Sequence, residues 1–235
     1  MNTSPDEGRN NRYKTLVLRV LIYCLGLFSL SFGIVLSVNA NLGVSSGSAF
    51  PYVMSLVTGI SLGRIVIVIY GAYILIQWIL LGKKFKLKSL LQVVASTVFG
   101  YFVDFSTFLL GDFALPGYPG RLVQLAVSMC FVALGIALFV SADIIYMPIE
   151  GLADAIGQRF GLSFFTGKTI VDCASVGLGL ICSLVFLHTL TGIREGTIIS
   201  ALLMGKFVQF FSKWVKPLVS RILGTEQAPK AEEGK

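Results

Sequence analysis

Along most of this chain apolar residues run on in blocks rather than alternating with polar ones, and short polar or basic connections separate the blocks. A helix needs roughly 20 predominantly apolar residues to cross a bilayer. Six blocks qualify, over about Leu16–Val38, Arg64–Leu81, Ser89–Leu110, Leu122–Ala142, Gly167–Leu187 and Gly196–Phe211. Two further stretches, Ser46–Thr58 and Pro148–Phe160, are too short to cross, which predicts half-helices that re-enter the bilayer or lie at its interface. Ser212–Leu223 is basic and amphipathic and carries Trp214, the pattern of a helix lying along the membrane surface. The pattern therefore predicts an all-α membrane protein without a soluble domain. Its parts are a disordered N-terminus over 1–15, a first membrane repeat over 16–110, a connection over 111–121, a second repeat over 122–211, and an amphipathic, flexible tail over 212–235.

The two repeats are defined by self-similarity. SFGIVLSVNANLGVSSGSAF, Ser31 to Phe50, aligns with ALGIALFVSADIIYMPIEGL, Ala133 to Leu152, so that Gly33 meets Gly135, Ala40 meets Ala142 and Asn41 meets Asp143. After a two-residue gap Arg64 falls opposite Lys168, and STVFGYFVDFS aligns with ALLMGKFVQFF. Each half reads as span, half-helix, span, span. Three crossings per half is an odd number, so the second half is expected to enter the membrane upside down. Inverted repeats of this kind recur among secondary transporters, with binding sites where discontinuous helices meet near the midplane. The other reading is a duplication that made only a stable bundle.

Composition agrees with the pattern. Of 235 residues, 55% are hydrophobic and 13% charged, too little polar surface to cover a soluble domain of this length. The net charge of +7 does not point to nucleic acid, because the basic residues sit in short clusters between apolar runs. Arg9, Arg12, Lys14, Arg19, Lys83, Lys84, Lys86, Lys88, Arg159, Lys168, Lys213, Lys216 and Arg221 fall on one side, against Arg64, Arg121 and Arg194 on the other. The positive-inside rule then puts both termini in the cytoplasm. Cys24, Cys130, Cys173 and Cys182 lie within apolar runs without metal-ligand spacing. No nucleotide-binding, hydrolase or metalloprotease motif is present. No enzyme activity, cofactor or metal is expected.

A charge in hydrocarbon costs roughly 2.5 kcal/mol or more on insertion scales, so each charged residue in an apolar run is a candidate for function. Glu150, Asp154 and Gln158 recur every four residues on the second half-helix. The stripe either lines a cavity for a cation, a proton or a hydroxylated solute, or forms the wet face of an interfacial helix. Lys168 and Asp172 are spaced for an ion pair on one helix face. They read either as a protonatable carboxylate with its charge partner or as a snorkelling lysine and its neighbour. Asp104 and Lys206 lie near matching positions of the two halves, and isolated charges there predict an intramembrane pair. Asn41, Ser45 and Ser48 in the first inter-span turn, with Asp143 and Tyr146 in its counterpart, suit solute recognition at a half-helix N-terminus or capping of that helix.

NANLGVSSGSAF, its counterpart SADIIYMPIEGLADAI, the run from Gly167 to Asp172, and GTIISALLMGKFVQFF together resemble the YczE/YyaS/YitT group of bacterial membrane proteins. The likeness covers most of the chain from Leu16 to about Trp214. It implies a multi-pass plasma-membrane protein and no settled substrate or activity. Where the group carries a Pro-Trp-Asp-like stretch, this chain reads Ser45-Ser46-Gly47-Ser48, without the carboxylate. Two functions are expected to compete. One is a secondary transporter of a small solute, coupled to protons through Glu150, Asp154 or Asp172. The other is a non-transporting component that binds a membrane partner or captures substrate for a larger complex. The partners implied are the lipid bilayer and an unidentified small solute, with a homo-oligomer or membrane partner also compatible.

Overall fold

The computed structural model of the chain describes residues 5–85, 87–189 and 192–224. Its long helices are α1 (Pro5–Ala40), α3 (Leu62–Leu81), α4 (Leu91–Leu110), α5 (Gly117–Ala142), α7 (Phe164–Cys182, continued by a π turn over Ser183–Leu187) and α8 (Glu195–Ile222). Two short helices, α2 (Ala49–Thr58) and α6 (Pro148–Phe160), follow α1 and α5. Among the described residues, six helices are long and apolar enough to cross a membrane, and they fall where the apolar blocks predict. The short helices of 10 and 13 residues extend about 15 and 20 Å at 1.5 Å per residue, less than the roughly 30 Å of hydrocarbon.

Two expectations are corrected. The polar stretch from Pro5 is the start of α1 rather than disordered, so this 36-residue helix, about 54 Å long, outruns the bilayer core. The basic amphipathic stretch after Phe211 is no separate surface helix but the continuation of α8 through Pro217. Val215, Val219 and Leu223 hold it there, buried against Ala137 of α5. Residues 1–4 and 225–235, parts of the expected disordered N-terminus and flexible tail, lie outside the described residues.

α1 and α5 form the central pair and run antiparallel. Gly26 faces Gly135 and Gly33 faces Ser128, so rising positions on one helix meet falling positions on the other. A Cβ on Gly26 would stand 2.7 Å from the Phe139 nitrogen, and one on Gly135 2.5 Å from the Leu30 nitrogen. In lipid, apolar burial does not itself favour helix contact, and such backbone approach supplies packing instead. Ser29 donates to the Phe131 carbonyl at 2.9 Å and Gln124 to the Leu36 carbonyl at 3.0 Å along the same line. Leu27, Phe99, Val103 and Phe139 fill the core around it.

α1 and α5 both stop at a residue in the left-handed conformation, Asn41 (φ 53°) and Asp143 (φ 51°). Asn and Asp tolerate that region better than other non-glycine residues. The chain then turns back, and each short helix packs on a long helix of the other half, α2 on α7 and α6 on α3. The leading ends of the short helices meet. Gly47, in a single 3-10 turn before α2, lies so close to Ile149 that a Cβ would stand 2.9 Å from its Cδ1.

Candidate functional site

Pro148 opens α6 at its first turn, where its fixed φ and missing N–H cost nothing. Glu150 follows in that turn and is buried. Ser163 caps α7, its hydroxyl accepting from the Thr166 N–H at 3.1 Å. Gly167 lets α7 press on α6, since a Cβ there would collide with the Ala153 carbonyl. That contact brings Lys168 within 3.7 Å of Glu150 Oε1, while its own helix supplies Asp172 at 3.0 Å. Glu150 Oε2 is buried with no hydrogen-bond partner among the described residues. Two carboxylates thus share one ammonium, and one carboxylate oxygen is left unpaired away from water, a costly arrangement.

The first half closes over this cluster. A Cβ on Gly47 would stand 3.6 Å from Asp172 Oδ1 and 3.9 Å from Lys168 Nζ. Ser175, one turn further along α7, accepts from the Phe50 N–H at 3.3 Å and lies 3.4 Å from the Gly47 carbonyl. On the other short helix, Gln77 of α3 donates to the Pro148 carbonyl at 3.0 Å. The start of each short helix is therefore held by a polar side chain from the opposite half.

Beside the cluster, a cavity of about 420 Å³ lies between α3, the α3–α4 connection, the end of α5 and α6. Gln77 and Gln92 are buried on its lining and bonded to each other, Nε2 to Oε1, at 3.1 Å. Gly151 makes room for them: a Cβ would stand 2.6 Å from Gln77 Oε1 and 2.7 Å from Gln92 Nε2. Lys84, Lys88, Asp143, Tyr146, Asp154 and Gln158 also line the cavity.

At the turn after α1 the arrangement is different. The Asn41 carbonyl accepts from Arg194 Nη1 at 3.0 Å, the Leu42 carbonyl from the Gly196 N–H at 2.7 Å, and Val44 donates to the Gly192 carbonyl at 3.1 Å. These bonds join the turn to the α7–α8 connection.

The expected site residues therefore separate into groups. Glu150, Lys168 and Asp172 come together. Asp143, Tyr146 and Asp154 share the cavity; Tyr146 stacks on Phe164 with centroids 6.4 Å apart, and Asp154 accepts from Gln158 at 2.7 Å. Ser45 stands at the cap of the turn before α2, but its hydroxyl donates to Ser48 at 3.1 Å rather than accepting from a backbone N–H. Asn41 belongs to the joined turn, through its backbone. The expected pair of Asp104 with Lys206 does not form. Asp104 accepts from the Gly63 N–H at 2.9 Å and the Ser61 hydroxyl at 3.0 Å, which satisfies the start of α3, and Lys206 is exposed on α8. The orphan donors of a helix start are as good a partner for a carboxylate as a cation. Sequence reading missed Gln77, Gln92 and Arg194; for the two amides, their place inside the runs ILIQWILL and LLQVVA was the signal.

The model of a family of unknown function, DUF6198, matches residues 17–213. The uncharacterized membrane protein YczE of Bacillus subtilis (strain 168) is 30% identical over 199 residues, which cover 83% of this chain and 86% of that protein. No solved structure matches.

Proposed function

The chain belongs to the DUF6198 family of unknown function, and from that premise we propose that this integral membrane protein is a proton-coupled secondary transporter of a small solute. In this reading its two halves cross a bacterial plasma membrane in opposite senses, with both termini and the α3–α4 lysines on the cytoplasmic side. Several features support the inversion. The helices that the sequence alignment equates, α1 and α5, run antiparallel, and their contacts are reciprocal: Gly26 on Gly135, Gly33 on Ser128. The aligned Asn41 and Asp143 share one unusual backbone conformation. Each short helix rests on the other half, as in transporters whose broken helices meet at the site.

The observation that carries the reading is Glu150. A buried carboxylate whose Oε2 has no partner among the described residues, beside a lysine that already serves Asp172, leaves the cluster with an excess negative charge. One proton on Oε2 removes that charge, and the neutral cluster then fits the apolar interior. Loss of the proton leaves a net charge that resists enclosure. A device of this kind lets only proton-loaded or solute-loaded forms change conformation.

The test uses proteoliposomes loaded with the pH dye pyranine and challenged with pools of small metabolites. Wild-type protein is expected to move protons with at least one pool, the exposed Lys206→Gln variant to do the same, and Glu150→Gln to move none. Equal proton movement in Glu150→Gln would remove the coupling assignment. Solute binding without flux, together with a stoichiometric membrane partner on purification, would favour the substrate-capture alternative.

A further inference from the structure

The geometry points to a small zwitterion, an ammonium and a carboxylate on one short skeleton, as the ligand of the cavity between α3, α5 and α6. The lining carries both signs of charge, Lys84 and Lys88 on the α3–α4 connection, Asp143 and Asp154 on the other half. Among the described residues none of these four forms an ion pair. A lone anion entering here meets two carboxylates, and a lone cation meets two ammonium groups. A molecule with both charges offsets both sets at once, the complementarity that gives an interface its specificity.

The buried amides add a fixed polar element. Gln77 Nε2 is spent on Gln92 Oε1 and the Pro148 carbonyl. The remaining Gln77 Oε1 and Gln92 Nε2 converge where Gly151 leaves room, one an acceptor and one a donor. Phe139, Val140 and Ile144 supply an apolar wall. The volume of about 420 Å³ falls within the roughly 300–1,000 Å³ of small-ligand pockets, where a few placed polar groups orient a ligand against apolar surface. Free α-amino acids have this chemistry, and so does the ethanolamine phosphate headgroup of a zwitterionic lipid. The consequence of binding rests on the transport reading; occupancy itself does not.

The experiment is isothermal titration and thermal shift on the purified full chain in detergent. The probes are alanine, leucine and phenylalanine, each beside the amine that lacks its carboxylate and the acid that lacks its ammonium, with phosphoethanolamine as a further arm. At least one zwitterion is expected to bind and its two singly charged analogues to bind about tenfold more weakly or not at all. Lys88→Ala and Asp154→Asn are each expected to weaken the zwitterion about tenfold, with ligand-free melting unchanged. Preference for an amino acid identifies a free solute, and preference for phosphoethanolamine identifies a headgroup. Binding of a singly charged analogue as tight as the zwitterion's, indifference to both substitutions, or no binding by any probe overturns the proposal. Glu150→Gln is expected to keep the binding and lose proton movement, so failure of the ligand assignment and failure of the coupling assignment appear in different measurements.

Discussion

The turns that come after α1 and α5 begin alike and end differently. Both start from a residue held at positive φ, Asn41 in one and Asp143 in the other. The first is tied by three hydrogen bonds to the α7–α8 connection. The second stands away from the α3–α4 connection, and the cavity occupies the space between. The contrast lies in what faces each turn. Gly192, Gly196 and Thr197 bring small side chains and backbone partners, so close that a Cβ on Gly43 would stand 2.5 Å from Thr197 Oγ1. The α3–α4 connection brings Lys83, Lys84 and Lys88, long like-charged side chains that favour water over contact. One turn is bonded to the connection it faces, and the other opens onto the cavity.

The largest effect is expected at the cluster between the two ends. Lys168→Met strands Glu150 and Asp172 without their cation, and stability is expected to fall by about 3 kcal/mol, the low end for breaking a buried pair. The melting midpoint in detergent reads this, and adding Glu150→Gln is expected to restore part of the loss; an unchanged midpoint would refute the shared ammonium. Next comes the axis along which the halves touch. Gly135→Ala forces α1 and α5 apart and is expected to cost about 1–3 kcal/mol in the same assay, whereas Gly205→Ala, where nothing lies within 4 Å, costs little. Loss of equal size at both positions would show that close approach is not what Gly135 provides.

The seal itself is next in size. Arg194→Ala removes a charge-assisted bond worth about 1.5 kcal/mol, roughly tenfold in the ratio of open to sealed forms. The reporter is maleimide labelling of Ser45→Cys in a background without the four native cysteines, expected to quicken from the α1–α2 side. No change there would leave the seal without a gating role. The smallest effect concerns the feature the two turns share. Asn41→Gly and Asp143→Gly each relieve a left-handed backbone and are expected to alter stability by less than about 1 kcal/mol. A large loss in only one would show that its side chain, rather than its φ, is what matters.

Much of the architecture was legible because hydrocarbon imposes length: a block either reaches across or falls short, and α2 and α6 fall short in the sequence as in the fold. The ionic cluster was half legible. Lys168 and Asp172 announce themselves by helical spacing, but Glu150 joins them only because Gly167 lets α6 and α7 close, a tertiary fact. Asp104 was misread because its partners are a serine hydroxyl and a backbone N–H, and a backbone donor has no letter of its own. The end of α8 was misread for a related reason. Its basic residues describe the wet face, while Val215 and Val219 on the opposite face decide that the helix continues. The cavity was invisible, since its amides matter through their convergence.

Gly47 and Ile149 occupy the same column when the two halves are aligned, and in space they touch each other. At such a contact two identical bulky side chains would collide and two glycines would leave a gap. Mismatch is therefore built into that position. The fit at this contact depends on the two aligned segments differing there, so placing the same bulky side chain at both positions would spoil it.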